Sequence, residues 1–251
     1  MGKKRYYITK SFTVPSELNS IEHLIFIGSW LDPKISTRGT KPIIVYGVDL
    51  LSRKICPDVE LLSNLLSEIL SCEVTREIIY NAEFLIPKSI IKRVLSDDFS
   101  KEAQLQKDVL VDIWISIATY ETIEYINQTL KKVNFKPISN LSAKVVVSRL
   151  LQNFSTGQLW NLTYRASRKF NEQVLAQNLE RENCSDLLLD ALLEKGLLYI
   201  NSNWNLPPYN RWGVLCKQSD YSKFFFERVL EISSTDGFAL IPKVSSFEEK
   251  G

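Results

Sequence analysis

The segment that most restricts how this chain folds is a helix-length stretch at 101–132 whose middle is apolar almost all round. Val109, Leu110, Val111, Ile113, Trp114, Ile115, Ile117 and Ala118 leave water only a stripe through Asp108, Asp112, Ser116 and Thr119. A soluble helix of this kind is central and needs neighbours on several sides. Asp112 interrupts the run, and the run falls far short of the ~20 apolar residues a membrane span requires. No membrane segment is therefore expected. A chain of 251 residues, 45% apolar, can bury about 70–75% of its unfolded surface without disulfide or metal support.

The neighbours are legible as further helices. Pro57 suits a first helical position, with Asp58 and Glu60 in the first turn and Leu61, Leu62, Leu65, Leu66, Ile69 and Leu70 forming one stripe. Pro87 opens a second helix with Ile90, Ile91, Val94 and Leu95 inward. Past Pro137, helices are predicted over 139–153, 155–177 and 185–194. Ser155 and Gln158 are spaced as a capping box, and Gly196 suits a left-handed stop. A last helix at 222–232 turns Phe225, Val229 and Ile232 inward.

Strands are expected where the period becomes two, at 6–14, and in short apolar runs at 24–27, 43–46, 197–200 and 238–241. A polar turn at 32–41 carries Lys34, Arg38 and Lys41. The sum is an α+β fold, predominantly helical, with a small β-rich N-terminal portion and a mixed helical and β C-terminal half. Pro137 marks the expected boundary. It separates a β-rich portion packed with helices at 1–136 from a helical domain with short strands at 137–251, unless the two form one continuous domain. The helices from 139 to 194 followed by a strand outline a helical unit closed by a β-wing.

Catalytic signatures are missing. His23 is the only histidine, which removes Ser-His-Asp and His-metal designs. Nothing around it supports a Cys-His pair. Cysteines 56, 72, 184 and 216 form no C-x-x-C pair and read as buried, reduced thiols. Neither G-x-x-x-x-G-K nor G-x-G-x-x-G occurs. The basic N-terminus lacks the apolar run of a secretory signal, so a cytoplasmic location is expected. No cofactor is implied, and the sequence does not set an oligomeric state. Asp108 and Asp112, one turn apart, are the only carboxylates worth weighing as an enzymatic pair, against a plain solvated stripe.

Charge is the anomaly. Residues 125–171 hold eight Lys or Arg and no acid, although the chain carries 29 acids. Residues 172–194 reverse this with six acids and one arginine. On the helix at 155–177, Arg165, Arg168 and Lys169 recur at spacings of three and four beside Trp160 and Tyr164. Lys144 and Arg149 extend the track. Cations beside aromatic rings suit a phosphate backbone with stacked bases. The N-terminal Lys3, Lys4, Arg5 and Lys10 and the 32–41 turn would add to such a face. The expectation is a non-enzymatic binding or regulatory protein whose 131–169 segment contacts nucleic acid or a nucleoprotein. The alternatives are a scaffold for a protein partner, exposing Phe224, Phe226, Trp204 or Trp212, and a carboxylate enzyme. A further alternative is that the two helices of opposite charge pack as a complementary pair.

Overall fold

The structure, a computed structural model, describes residues 10–31, 41–52, 56, 59–176, 185–210 and 217–247. It is a predominantly helical α+β fold with one three-stranded mixed sheet. The chain packs as two units, Met1–Leu110 with Gln218–Ile232, and Val111–Lys217 with Ser233–Gly251.

In the first unit, strands β1 (Lys10–Thr13), β2 (Ile43–Tyr46) and β3 (Ala82–Ile86) are ordered β1-β3-β2. β3 lies parallel to β1 and antiparallel to β2, with Phe84 opposite both Phe12 and Val45. Ala82, Phe84 and Ile86 are buried, and Phe84 stacks on Phe12 at 5.7 Å. This central strand escapes sequence reading because Glu83 breaks its apolar run. Only the alternation and the flanking Asn81 and Pro87 mark it.

Around the sheet stand α1 (Ile21–Gly28), α2 (Gly47–Ser52), α3 (Val59–Leu70), α4 (Arg76–Tyr80), α5 (Lys88–Val94) and α6 (Phe99–Gln104). A short helix Asp220–Lys223 runs on into a π-helical turn Phe224–Val229, where Phe225 and Val229 are buried as expected. The strand predicted at 24–27 is helix α1. A continuous apolar run suits a buried helix as well as a buried strand, and here the cap decides. The Ser20 hydroxyl accepts from the His23 backbone N–H at 3.3 Å, and Phe26 meets Trp30 and Tyr221 edge-on. The α3 stripe is as predicted, with Leu61, Leu62, Leu65, Leu66 and Ile69 buried.

The second unit holds most of α7 (Lys107–Lys132), then α8 (Asn140–Leu151), α9 (Thr156–Ala176), α10 (Ser185–Asn201) and a short helix Ser234–Ala239. The helix predicted from 101 to 132 is two, because the chain breaks at Leu105 and Gln106 between α6 and α7. The unbroken buried stretch of α7 is 117–123, further along than the apolar run. That stretch includes Thr119, Glu121 and Thr122, so packing rather than composition sets burial there. The strand predicted at 197–200 lies within α10, that predicted at 238–241 begins in the last turn of the Ser234–Ala239 helix, and no β-wing forms from them.

Gly196 does not end its helix. A Cβ there would lie 2.5 Å from Leu150 Cδ2 and 3.3 Å from Leu162 Cδ2, so the glycine lets α10 sit close on α8 and α9. The left-handed stop comes seven residues later at Asn203 (φ 50°). The N–H of Trp204 donates to Tyr199 O at 3.0 Å and that of Asn203 to Ile200 O at 3.1 Å, the double closure of a Schellman end. Asn134 (φ 58°) ends α7 and Ser71 (φ 51°) ends α3 in the same way. With nine glycines in the chain, asparagine and serine stand at the left-handed stops of these three helices. Among the described residues no helix is long and apolar enough to cross a membrane.

Gly47 is the tightest backbone approach, since a Cβ there would fall 1.7 Å from the Ile79 carbonyl oxygen. Gly47→Ala should therefore force α2 off α4 and lower stability by about 1–3 kcal/mol. A denaturant midpoint matching the parent's would contradict that packing.

Candidate anion-binding cleft

α9 is held at its start by the capping box read from the sequence. The Ser155 N–H donates to Gln158 Oε1 at 2.9 Å, and the Gln158 N–H to Ser155 Oγ at 3.2 Å. The roll of the helix is set by Trp160. Its indole lies flat on Tyr125 (4.5 Å, 5°) and meets Phe238 edge-on at 4.7 Å. Trp160 is fully buried, so it is no platform for a base. That part of the expected site is corrected: the ring is core.

At about 100° per residue, Asn161, Tyr164, Arg165 and Arg168 lie to one side of Trp160. They line a cleft of about 480 Å³ whose far wall is Pro207, Pro208 and Tyr209. The loop that forms this wall is strapped to α9. Gln158 Nε2 donates to Leu206 O (2.8 Å), Asn161 Nδ2 to Pro207 O (2.7 Å), and the Tyr209 N–H to Gly157 O (2.9 Å). Gly157 has no side chain because one would meet Tyr209 O at 2.8 Å.

Within the cleft Arg165 is preset. Its Nε donates to Asn161 Oδ1 at 2.8 Å and its Nη1 to Tyr199 Oη at 3.0 Å. Arg168 is exposed beside it, and Tyr164, 43% exposed, tilts against Tyr209 at 6.0 Å. Burial and the neighbouring Tyr164 push the Tyr209 phenol up, against the pull of Arg165.

Lys195, on α10, joins the cluster. Its Nζ donates to Arg165 O at 3.3 Å, and burial, then Lys169, then Arg165 hold its ammonium below the ordinary lysine range. Sequence reading missed Lys195, Tyr199 and Tyr209. Lys195 directly follows the acidic stretch, and only packing of α10 on α9 brings it over. Among the described residues, no carboxylate pairs with Arg165, Arg168, Lys169 or Lys195.

The other predicted contacts lie apart. Lys144 sits over the Tyr120 ring at 4.8 Å, and Arg149 is exposed on α8. Neither lines the cleft. Lys131, Lys132 and Lys136 are exposed at and beyond the end of α7. Lys10 and Lys41 belong to the first unit, and Lys3, Lys4, Arg5, Lys34 and Arg38 lie outside the described residues.

The two carboxylates weighed as an enzymatic pair line neither this cleft nor the hollow flanked by Trp204. Asp108 and Asp112 are both exposed, tracing the solvated stripe of α7. His23 Nε2 contacts Glu68 at 3.0 Å. Cys56 is half-buried and Cys72 exposed, so neither is the buried thiol expected, and Cys184 and Cys216 lie outside the described residues. Among the described residues no cluster of His, Cys, Asp or Glu is arranged to hold a metal. No protein-family model matches the chain, and no curated protein or solved structure is significantly similar to it.

Because Trp160 is core, Trp160→Ala should cost about 3–5 kcal/mol of stability, whereas Tyr164→Ala, on the surface, should cost under about 0.5 kcal/mol. Chemical denaturation of both variants checks this, and equal losses would mean α9 is not anchored through its indole.

Proposed function

We propose that this protein is a non-enzymatic, cytoplasmic nucleic-acid-binding protein whose phosphate contacts are made by the cleft between α9 and the Pro207–Tyr209 loop, with Lys195 of α10 beside it. The observation that supports this reading is the convergence of Arg165, Arg168, Lys169 and Lys195 with no described carboxylate to neutralise them. Arg165, fixed by Asn161 and Tyr199, presents donors in a set direction, which is what bidentate recognition of a phosphate uses. Lys144 and Arg149 are left to an outer, weaker track on α8.

Binding of an oligonucleotide should then weaken steeply between about 50 and 200 mM salt, with a log–log slope of about −0.7 per phosphate contacted on single strands and about −0.9 on duplex. Arg165→Ala, Arg168→Ala and Lys169→Ala combined should flatten that slope while leaving the circular dichroism spectrum unchanged. A folded triple variant that keeps the parental slope ends the proposal.

Lys195 supplies a pH signature. A bound phosphate favours its charged form and so raises a pKa that is lowered in the free protein. Binding therefore takes up a proton wherever free Lys195 is already deprotonated. Affinity should be flat near neutrality and fall as pH climbs through the range just below the ordinary lysine value. Lys195→Gln should remove that fall. Parallel pH profiles for parent and variant would place Lys195 outside the site.

A protein partner is the second reading, and one observation favours it: Leu141 and Val145, one turn apart on α8, are 75% and 67% exposed. Of the aromatics expected for that reading, Trp204 is 57% exposed. Phe226 is buried, Phe224 is half-buried, and Trp212 lies outside the described residues. Salt-insensitive capture of a protein, lost in Leu141→Ser with Val145→Ser, would select it.

A further inference from the structure

On the other side of the strapped loop lies a second hollow of about 390 Å³, and it carries no charge. Asn153, Asn203 and Asn205 edge it, Phe154 and Leu206 form its apolar lining, and Tyr199 and Trp204 flank it. A single exposed aromatic is ordinary on a protein surface. Three observations give Trp204 a direction.

First, the residue is fixed. Its N–H closes the Schellman end of α10 on Tyr199 O, so the indole stands on a hydrogen-bonded corner rather than a free loop. It is nonetheless 57% exposed, while Tyr199 braces it edge-on at 5.5 Å. Second, the side-chain amides of Asn153, Asn203 and Asn205 make no hydrogen bond to any described residue. Gln158, by contrast, is spent on the cap and on Leu206 O. Three amides beside an indole offer donors and acceptors to the edge of a flat, uncharged, polar ring. Third, the hollow is tied to the cationic cleft. The Tyr199 hydroxyl that receives Arg165 Nη1 belongs to the same ring that braces Trp204.

We infer that Trp204 with Asn153, Asn203 and Asn205 forms a nucleobase subsite for single-stranded nucleic acid, whose phosphate is taken by Arg165 and Arg168. This inference rests on the anion-binding reading of the cleft and adds to it the strandedness of the ligand. A cationic groove beside an aromatic platform is the common design for single strands, since every base has a face to stack. In a duplex those faces are already stacked and out of reach. The loop from Trp204 to Tyr209 spans at most about 18 Å when extended, so the two subsites serve a short stretch of one strand. Trp160, buried, is not part of it, and Trp204 takes the stacking role.

The test compares two oligomers of equal length and charge, oligothymidylate and its abasic counterpart, by fluorescence anisotropy on the full chain. The parent should bind oligothymidylate about 5- to 150-fold tighter than the abasic oligomer, the ratio given by one stacked base. Trp204→Ala should bring that ratio close to one while keeping the salt slope, and Trp204→Phe should retain most of it. A parental ratio near one, or a ratio unchanged in Trp204→Ala, overturns the base subsite and leaves the phosphate reading intact. Failure of both oligomers to bind overturns both. Binding of a neutral oligosaccharide that Trp204→Ala abolishes, without binding of oligothymidylate, would reassign the hollow to sugars.

Discussion

The stack of Trp160 on Tyr125, closed from the side by Phe238, is the contact on which the second unit's surface depends. A helix has one rotational freedom about its axis, and a large ring stacked on one neighbour and closed edge-on by another removes it. With Trp160 turned inward, helical geometry leaves Asn161, Tyr164, Arg165 and Arg168 no choice but the adjoining side. Asn161 then does two things from one buried position. Its amide nitrogen holds Pro207 O and its oxygen holds Arg165 Nε. The wall of the cleft and the cation inside it are thus positioned by one side chain, and that side chain is positioned by its neighbour in sequence.

Much of this was legible in the sequence because it is local. The box of Ser155 and Gln158, the α3 leucine stripe, β2 and the predominantly helical α+β class follow from short-range pattern. What was misread fails for physical reasons that can be named. Leu24 to Ile27 is apolar on all sides, and such a run has no period to distinguish strand from helix. Gly196 was taken for a stop because glycine favours left-handed turns, but here it serves close approach to Leu150. Trp160, expected beside the phosphate track, is core for the same kind of reason. Its burial depends on Tyr125 and Phe238, far away in the chain, and no local pattern records that.

The cleft itself was half legible. Its α9 cations stand out in sequence as an acid-free window. Its remaining members do not, because Lys195 and Tyr199 come from an acidic helix and Tyr209 from a proline-rich loop. Lys195 and Tyr199 reach Arg165 because α10 lies against α9, and Tyr209 because its loop is strapped to Gly157, which is tertiary information.

The way α9 and α10 meet also decides between two uses of their opposite charges. Complementary helices would have placed the α10 acids against the α9 cations. Instead Asp186, Asp190 and Glu194 are exposed, and the helices join through Leu162 and Gly196. Apolar contact holds the pair, and none of the described acids forms an ion pair with the cleft. Gathering like charges opposes their ionisation: burial first, then Lys169 and Arg165, hold the Lys195 ammonium below the ordinary lysine range. An anion that fills the cleft removes that repulsion and so binds the folded state selectively, stabilising it by mass action. In the proposed reading, relief of that repulsion is one contribution to the affinity for an anion.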